Sequence, residues 1–250
     1  NDSPEDLRTT DLRITVDHPL TVVSSGALVE TRANPDGTRT FHWRVGTPYA
    51  NYLTAFAAGE WTLVPQRAGD VEIESYGYPD ERDAVAATVE RLPDMLRWFS
   101  ELTGKAFPHP VYRQVFVQDL PWGWGNFGTA TLTENMVDDF RTHAEWRYLW
   151  DGLEAEALAH QWAGGWIVPR DWRDAWLARG LSRMLDGLYN EHKNGRDEFL
   201  LYPHNIDQAT TLGDWRGGTR HPIVPRTIEE GVSFAADNYP YFRGALVHNL

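Results

Sequence analysis

The sequence predicts an α+β protein, and three observations carry that expectation. Residues 10–65 alternate apolar and polar side chains in the two-residue period of strands. Val85, Val89, Leu92, Leu96 and Phe99 recur at three- and four-residue spacing, which is one buried face of a helix. The stretch Glu154 to Gly180 reads as two helices joined by a short proline-bearing turn. Strands gathered first and helices after them is an α+β order.

Taken along the chain, Leu12–Val16, Leu20–Val23 and Ala27–Thr31 are expected strands. Asn34-Pro35-Asp36-Gly37 is a tight turn into Thr38–Val45, a hairpin signal. Val71–Tyr76 is a further strand, and a helix starts within 80–83. Pro93 falls inside that helix and should kink or break it. Gly104 ends it. Val111–Val117 and Thr129–Thr133 are rich in β-formers and read as strands. Helix is expected from about 138 into the 154–180 stretch, again over 174–192, and from Tyr239 to the end. Residues 193–238 look loop-rich, with little periodicity.

Composition narrows the function. A formal charge of −13 would repel nucleic acid and anionic membrane alike, so neither is an expected partner. No apolar run is long enough to span a bilayer. The absence of cysteine excludes a disulfide framework, thiolate metal ligands and a cysteine nucleophile, and leaves the compartment open. The chain opens at Asn1 without a signal-peptide pattern, as a mature form or an excised fragment would. Eight of its 12 Trp lie from Trp122 to Trp176, where they build either a thick aromatic core or a Trp-lined groove. No phosphate loop, dinucleotide fingerprint or Ser-His-Asp arrangement is present.

Several strings carry a resemblance. Leu158-Ala159-His160-Gln161-Trp162 and Trp176-Leu177-Ala178-Arg179-Gly180 resemble the zinc-site helices of the aminopeptidase N-type gluzincin metallopeptidases. Gly125-Asn126-Phe127-Gly128 is similar to the end of that family's Gly-x-Met-Glu-Asn loop. Tyr241-Phe242-Arg243-Gly244-Ala245 is similar to its Tyr before Lys-Gly-Ala, and His221-Pro222-Ile223 to its Ser-His-Pro-Ile string. Thr47-Pro48, followed by Tyr52-Leu53-Thr54-Ala55-Phe56, resembles the close of its N-terminal β domain. This order over nearly the whole chain is more specific than any one string. The resemblance implies a thermolysin-like peptidase-type domain over 69–250, preceded by the tail of an antiparallel β domain over 1–68. It also implies that the helical bundle following the Tyr helix in family members lies outside this sequence.

The departures from the family fall on the chemistry. A His-Glu-x-x-His helix supplies two zinc ligands and a general base, and a Glu of the next helix supplies the third ligand. The resemblance carries these roles onto Glu156, Ala157, His160 and Arg179, so His160 alone retains a family ligand and the base position is Ala157. A guanidinium at a ligand position repels Zn²⁺. Glu156 facing Arg179 would form a charge-assisted pair with His160 beside it, in place of the metal. The competing expectation sets both residues in solvent on amphipathic helices. Gly125 stands where the family's amine-binding Glu would be. With Asn126 it either presents backbone groups to a peptide by strand addition or forms a plain Gly-rich turn. Tyr241 matches the residue that stabilises the oxyanion, a match that core packing of a Tyr would also produce.

The resulting expectation is a catalytically inactive, zinc-free member that serves as a binding or structural module, with no cofactor and a peptide or protein partner. The alternative is a working zinc aminopeptidase with an atypical ligand set, Glu156 and His160 plus another acid such as Asp174.

Overall fold

The computed structural model describes residues 3–218, 222–224, 226 and 239–249. Its N-terminal part is a three-stranded antiparallel sheet in the order β1 (Leu7–Asp17), β4 (Thr38–Ala50), β3 (Ala27–Ala33). The β3–β4 turn forms as the sequence predicts, with the Gly37 amide bonded to Asn34 O at 3.1 Å. Gly37 takes φ 87°, a conformation that a side chain would strain. A short pair, β2 (Thr21–Ser24) and β5 (Phe56–Gly59), lies alongside. Val22, Phe41 and Trp43 close the core of this part.

The second sheet has five strands: β6 (Thr62–Ala68), β7 (Val71–Gly77), β8 (Val111–Val117), β9 (Gly123–Asn126) and β10 (Thr129–Thr133). Their spatial order is β6-β7-β8-β10-β9. β7, β8 and β10 run parallel, while β6 and β9 are antiparallel edges. β6 is thus hydrogen-bonded into the same sheet as β7, across the boundary expected near residue 68.

The stripe expected over residues 85–99 is buried, but on two helices, α1 (Arg82–Thr88) and α2 (Leu92–Thr103). Pro93 is the reason. It sits in the first turn of α2, where its missing N–H removes no helical bond. Gly104 ends α2 at φ 65°. Asp139 caps α3 (Phe140–Ala159) by accepting from the amides of Arg141 and Thr142. A loop containing Pro169 leads to α4 (Ala175–Asn194), a longer connection than the short turn expected. Tyr112, Phe116, Leu132, Leu158, Trp162 and Tyr189 join sheet and helices in one hydrophobic core. Strands and helices therefore mix as the α+β expectation requires. No helix among the described residues is long and apolar enough to cross a membrane.

The loop-rich expectation for 193–238 fails over its first half. There the chain forms α5 (Arg196–Phe199), a π-helical turn (Leu200–His204) and α6 (Asn205–Gly217). Ile206, Leu212 and Trp215 of α6 are exposed while Asp207 is buried, so no apolar stripe announces this helix. His221 lies outside the described residues. A last helix, α7 (Tyr239–His248), crosses α4.

One buried acid in this frame makes stability depend on pH. Glu154 of α3 points at the sheet, where Gln114 Nε2 donates to its Oε1 at 2.7 Å and its Oε2 has no hydrogen-bond partner. Burial pushes its carboxyl up to about 8 from an ordinary 4.5. Between those values the folded chain holds a proton that the unfolded chain releases, so stability falls as pH rises, by about 1.4 kcal/mol per pH unit. Glu154→Gln is expected to flatten this fall, gaining stability over the parent at pH 8 but not at pH 5. Urea titrations at the two pH values measure it, and an equal difference at both would exclude the buried neutral acid.

Candidate functional site

A cavity of about 510 Å³ opens between β9, the end of α3 and the start of α4. Tyr52, Trp124, Trp172, Glu156, His160 and Arg179 line it, together with Gly125 and Asn126. The Trp-rich stretch divides its labour accordingly. Trp162 packs in the core with its Nε1 donating to Lys105 O at 3.1 Å, while Trp124 and Trp172 wall the cavity.

Residues of the recognised strings position the cavity walls. Gln161 clamps the β9–β10 turn: its Oε1 accepts from the Gly128 amide at 2.9 Å, and its Nε2 donates to Asn126 O at 2.8 Å and Thr129 O at 3.2 Å. Phe127 stacks on Tyr49 at 4.3 Å, and its amide bonds to Leu53 O at 3.1 Å. The Asn126 side chain accepts from Thr131 Oγ1 at 3.2 Å, inside the hairpin. Gly125 lies so close to α3 that an added Cβ would sit 2.4 Å from His160 Cβ and 2.7 Å from Ala157 O. On this backbone position 125 has no room for any side chain, an acidic one included.

Along α3, Glu156 and His160 reach the cavity, and Ala157 turns into the hydrophobic core. His160 is the residue that ends α3. Its Nδ1 is 3.2 Å from Ala163 O, and its Nε2 is 3.2 Å from Ser182 Oγ and 3.7 Å from Glu156 Oε1. The Tyr241 hydroxyl donates to Glu156 Oε2 at 2.5 Å. Burial works against the charged Glu156, but His160, Tyr241 and Arg183 outweigh it and hold the carboxyl below its ordinary value. Burial, reinforced by Glu156, drives the Tyr241 phenol well above 10 and keeps it a donor.

The expected Glu156–Arg179 pair is not what forms. Among the described residues no ion pair joins them; Glu156 takes Tyr241 and His160 instead. Arg179 extends along the aromatic wall, its guanidinium carbon 6.0 Å from the Trp124 ring centre and 5.6 Å from that of Tyr241. Asp174, the acid considered as a substitute ligand, precedes α4 as its N-cap and does not line the cavity.

The charge balance beneath Glu156 comes from Arg183, which sequence reasoning passed over. Arg183 is buried one turn after Arg179. It donates through Nε to Asp207 Oδ1 at 3.0 Å, through Nη1 to Asp186, and through Nη2 to Pro203 O at 3.5 Å. Its guanidinium lies 5.6 Å from the Tyr241 ring centre. Burial pushes Asp186 up to about 7 and Asp207 up to about 6, against the pull of Arg183. The i, i+3 pair Arg183–Asp186 was readable as a local bridge. Asp207 lay in the stretch read as loop.

The α4–α7 crossing brings Tyr241 to this cluster. A Cβ on Gly180 would lie 2.5 Å from Gly244 C, and one on Gly244 2.7 Å from Trp176 O. The two helices therefore touch backbone to backbone at the glycines of both strings.

Comparison with known proteins agrees with this architecture. The peptidase family M1 domain matches residues 87–250. Transcription initiation factor TFIID subunit 2 of Drosophila melanogaster is 29% identical over 202 residues, covering 80% of this chain and 16% of that protein. The same subunit of Gallus gallus is 27% identical over 231 residues, covering 89% and 19%. Aminopeptidase Ey of Gallus gallus is 29% identical over 210 residues, covering 79% and 21%. The chain thus spans about a fifth of the length of these relatives.

Proposed function

The chain belongs to peptidase family M1, and on that premise we propose that it is a member without peptidase activity, using its cavity to bind a peptide or protein segment within a larger assembly. Residues 69–250 would correspond to the thermolysin-like domain of the family and 1–68 to the end of its β domain. The observation that carries the reading is the partnership of Glu156. Its carboxylate accepts a hydrogen bond from the Tyr241 hydroxyl and lies beside His160, with Arg183 behind and Arg179 also lining the cavity.

This donor set does not fit zinc. A tetrahedral site needs three protein donors and an open position, whereas the third ligand position here is a guanidinium, which cannot lose its proton to coordinate. Among the described residues no group of three or more His, Cys, Asp or Glu is arranged to hold a metal ion. Ala157 offers no base, and the hydroxyl of Tyr241 is engaged by Glu156. The relatives that are subunits of a transcription initiation factor support an assembly role.

Metal analysis of the purified chain is expected to find far less than one zinc per chain, and amino-acid anilides should remain intact. Stoichiometric zinc together with chelator-sensitive anilide hydrolysis would overturn the reading in favour of an aminopeptidase with an unusual site.

A further inference from the structure

A second cavity, of about 660 Å³, opens between the N-terminal sheet and the part of the molecule built on the five-stranded sheet. That size lies within the range of about 300–1,000 Å³ typical of ligand sites. Residues 44–49 of β4 and the start of β3 form one wall, and segments 108–111 and 165–166 form the other. Leu28 and Trp166 line it while remaining 45% and 54% exposed, bare apolar surface of the kind a bound partner covers.

The first wall carries a free strand edge. β3 pairs with β4 from Ala33–Arg39 to Ala27–Arg44 and stops there. Gly26 turns the chain away at φ 84°, and its carbonyl accepts from Arg113 Nη1 at 2.8 Å. β4 runs on to Ala50, and among the described residues no strand lies beside that continuation on the β3 side. On its other side β1 pairs with Val45 and Tyr49 and passes over Gly46, Thr47 and Pro48. Those three residues are exposed, and a Cβ on Gly46 would meet nothing within 4 Å. An open strand edge is a template for another extended chain.

The lining has no charge left to pair. Arg44 is held by Asp11 through Nε and Nη2 at 3.0 and 2.9 Å, and Arg113 by Glu74 through Nε at 2.6 Å. Burial lowers His109 to about 4, so its imidazole is neutral at ordinary pH. The Lys105 ammonium stands 5.4 Å from the Trp166 ring centre but does not line the cavity. A small apolar molecule would cover Leu28 and Trp166 and leave the strand edge unused. An extended, uncharged peptide meets both.

We propose that this groove binds an extended, uncharged segment of a partner polypeptide, added as a strand to the free edge of β4 beyond Arg44, with apolar side chains against Leu28 and Trp166. The groove shares no lining residue with the cavity at Glu156, so its occupancy does not depend on whether that cavity hydrolyses peptides.

Titration calorimetry on the full 250-residue chain tests this with N-acetylated pentapeptide carboxamides in which Thr alternates with Val, Leu or Phe. At least one of the three should bind with a Kd below about 1 mM. Amides of alternate residues in a strand face the same neighbour. N-methylation of either the even or the odd residues of the probe should therefore cost on the order of tenfold for one set and little for the other. A Glu or a Lys at the central position should weaken binding in both cases. Leu28→Asp and Trp166→Ala should each weaken the unmodified probe, whereas Leu201→Asp, on the exposed π-helical turn, should not. Amide exchange over residues 45–50 should slow when the probe is added.

No binding of any probe at millimolar concentration, equal losses from the two methylated sets, a preference for either charged probe, or unchanged exchange over 45–50 overturns the proposal. A chain that sediments as a dimer at micromolar concentration, with 45–50 already protected, overturns it as well and assigns the groove to a second copy. None of these results bears on the zinc and anilide measurements at the other cavity.

Discussion

Arg183→Met is expected to destabilise the protein by roughly 3–5 kcal/mol at pH 8, the cost of removing one partner from a buried charge cluster. Met keeps most of the side-chain volume, so the loss reports charge rather than a cavity. Without the guanidinium, Asp186 and Asp207 remain buried with no cation among their hydrogen-bond partners in the described residues. Both carboxyls are already raised by burial, to about 7 and about 6, with Arg183 pulling them down. In the variant they should rise further and take up protons.

The sign follows from linkage. Acids whose folded values are raised lose stability as pH climbs from the unfolded value through the folded one. The deficit of the variant should therefore be larger at pH 8 than at pH 5.5. Urea unfolding at the two pH values checks both points. A loss below about 1 kcal/mol at pH 8, the size of an exposed pair, would remove Arg183 from the centre of the cluster.

Gly180→Ala should be the second large effect, at roughly 1–3 kcal/mol, the range for forced overpacking. Helix propensity alone argues the other way, since Ala is favoured over Gly by about 1 kcal/mol. The contact should win because the atoms met by the new Cβ, 2.5 and 2.6 Å away, are backbone of Gly244 and cannot rotate aside. α7 must then move as a body and carry Tyr241 off Glu156. Urea unfolding gives the stability, and amide exchange over Tyr239–His248 should accelerate. A variant as stable as the parent, with unchanged exchange, would refute the close crossing.

These two sites explain which parts of the family strings persist. Gln161 ties the β9–β10 turn to α3, Trp162 fills the core, and Gly180 with Gly244 lets α4 and α7 touch. Each is held by packing or backbone hydrogen bonds. The positions onto which the resemblance carries the family's chemistry, 125, 156, 157 and 179, hold Gly, Glu, Ala and Arg here. Tyr241 belongs to the persistent group by the same logic: its ring lies against Arg183 and its hydroxyl is bonded to Glu156. Family membership was legible because the scaffold residues keep their order along the chain.

Local chemistry made most of the fold readable in the sequence. Alternation marked the strands, Asn34–Gly37 the hairpin, and Pro93 the break between α1 and α2. α6 stayed hidden because its buried contact is a charged one, Asp207 on Arg183, and its apolar residues face outward.

The partner of Glu156 was undecidable from sequence for a geometric reason. Arg179 and Arg183 are one turn apart on the same face of α4, so spacing treats them alike. Only the tertiary arrangement separates them: α7 inserts the Tyr241 ring beside both, and α6 holds Arg183 in the interior through Asp207. The sequence by itself determined most of the scaffold and the ordered strings that mark the family. Which buried charge meets which depends on helices far apart along the chain, and only their packing decided it.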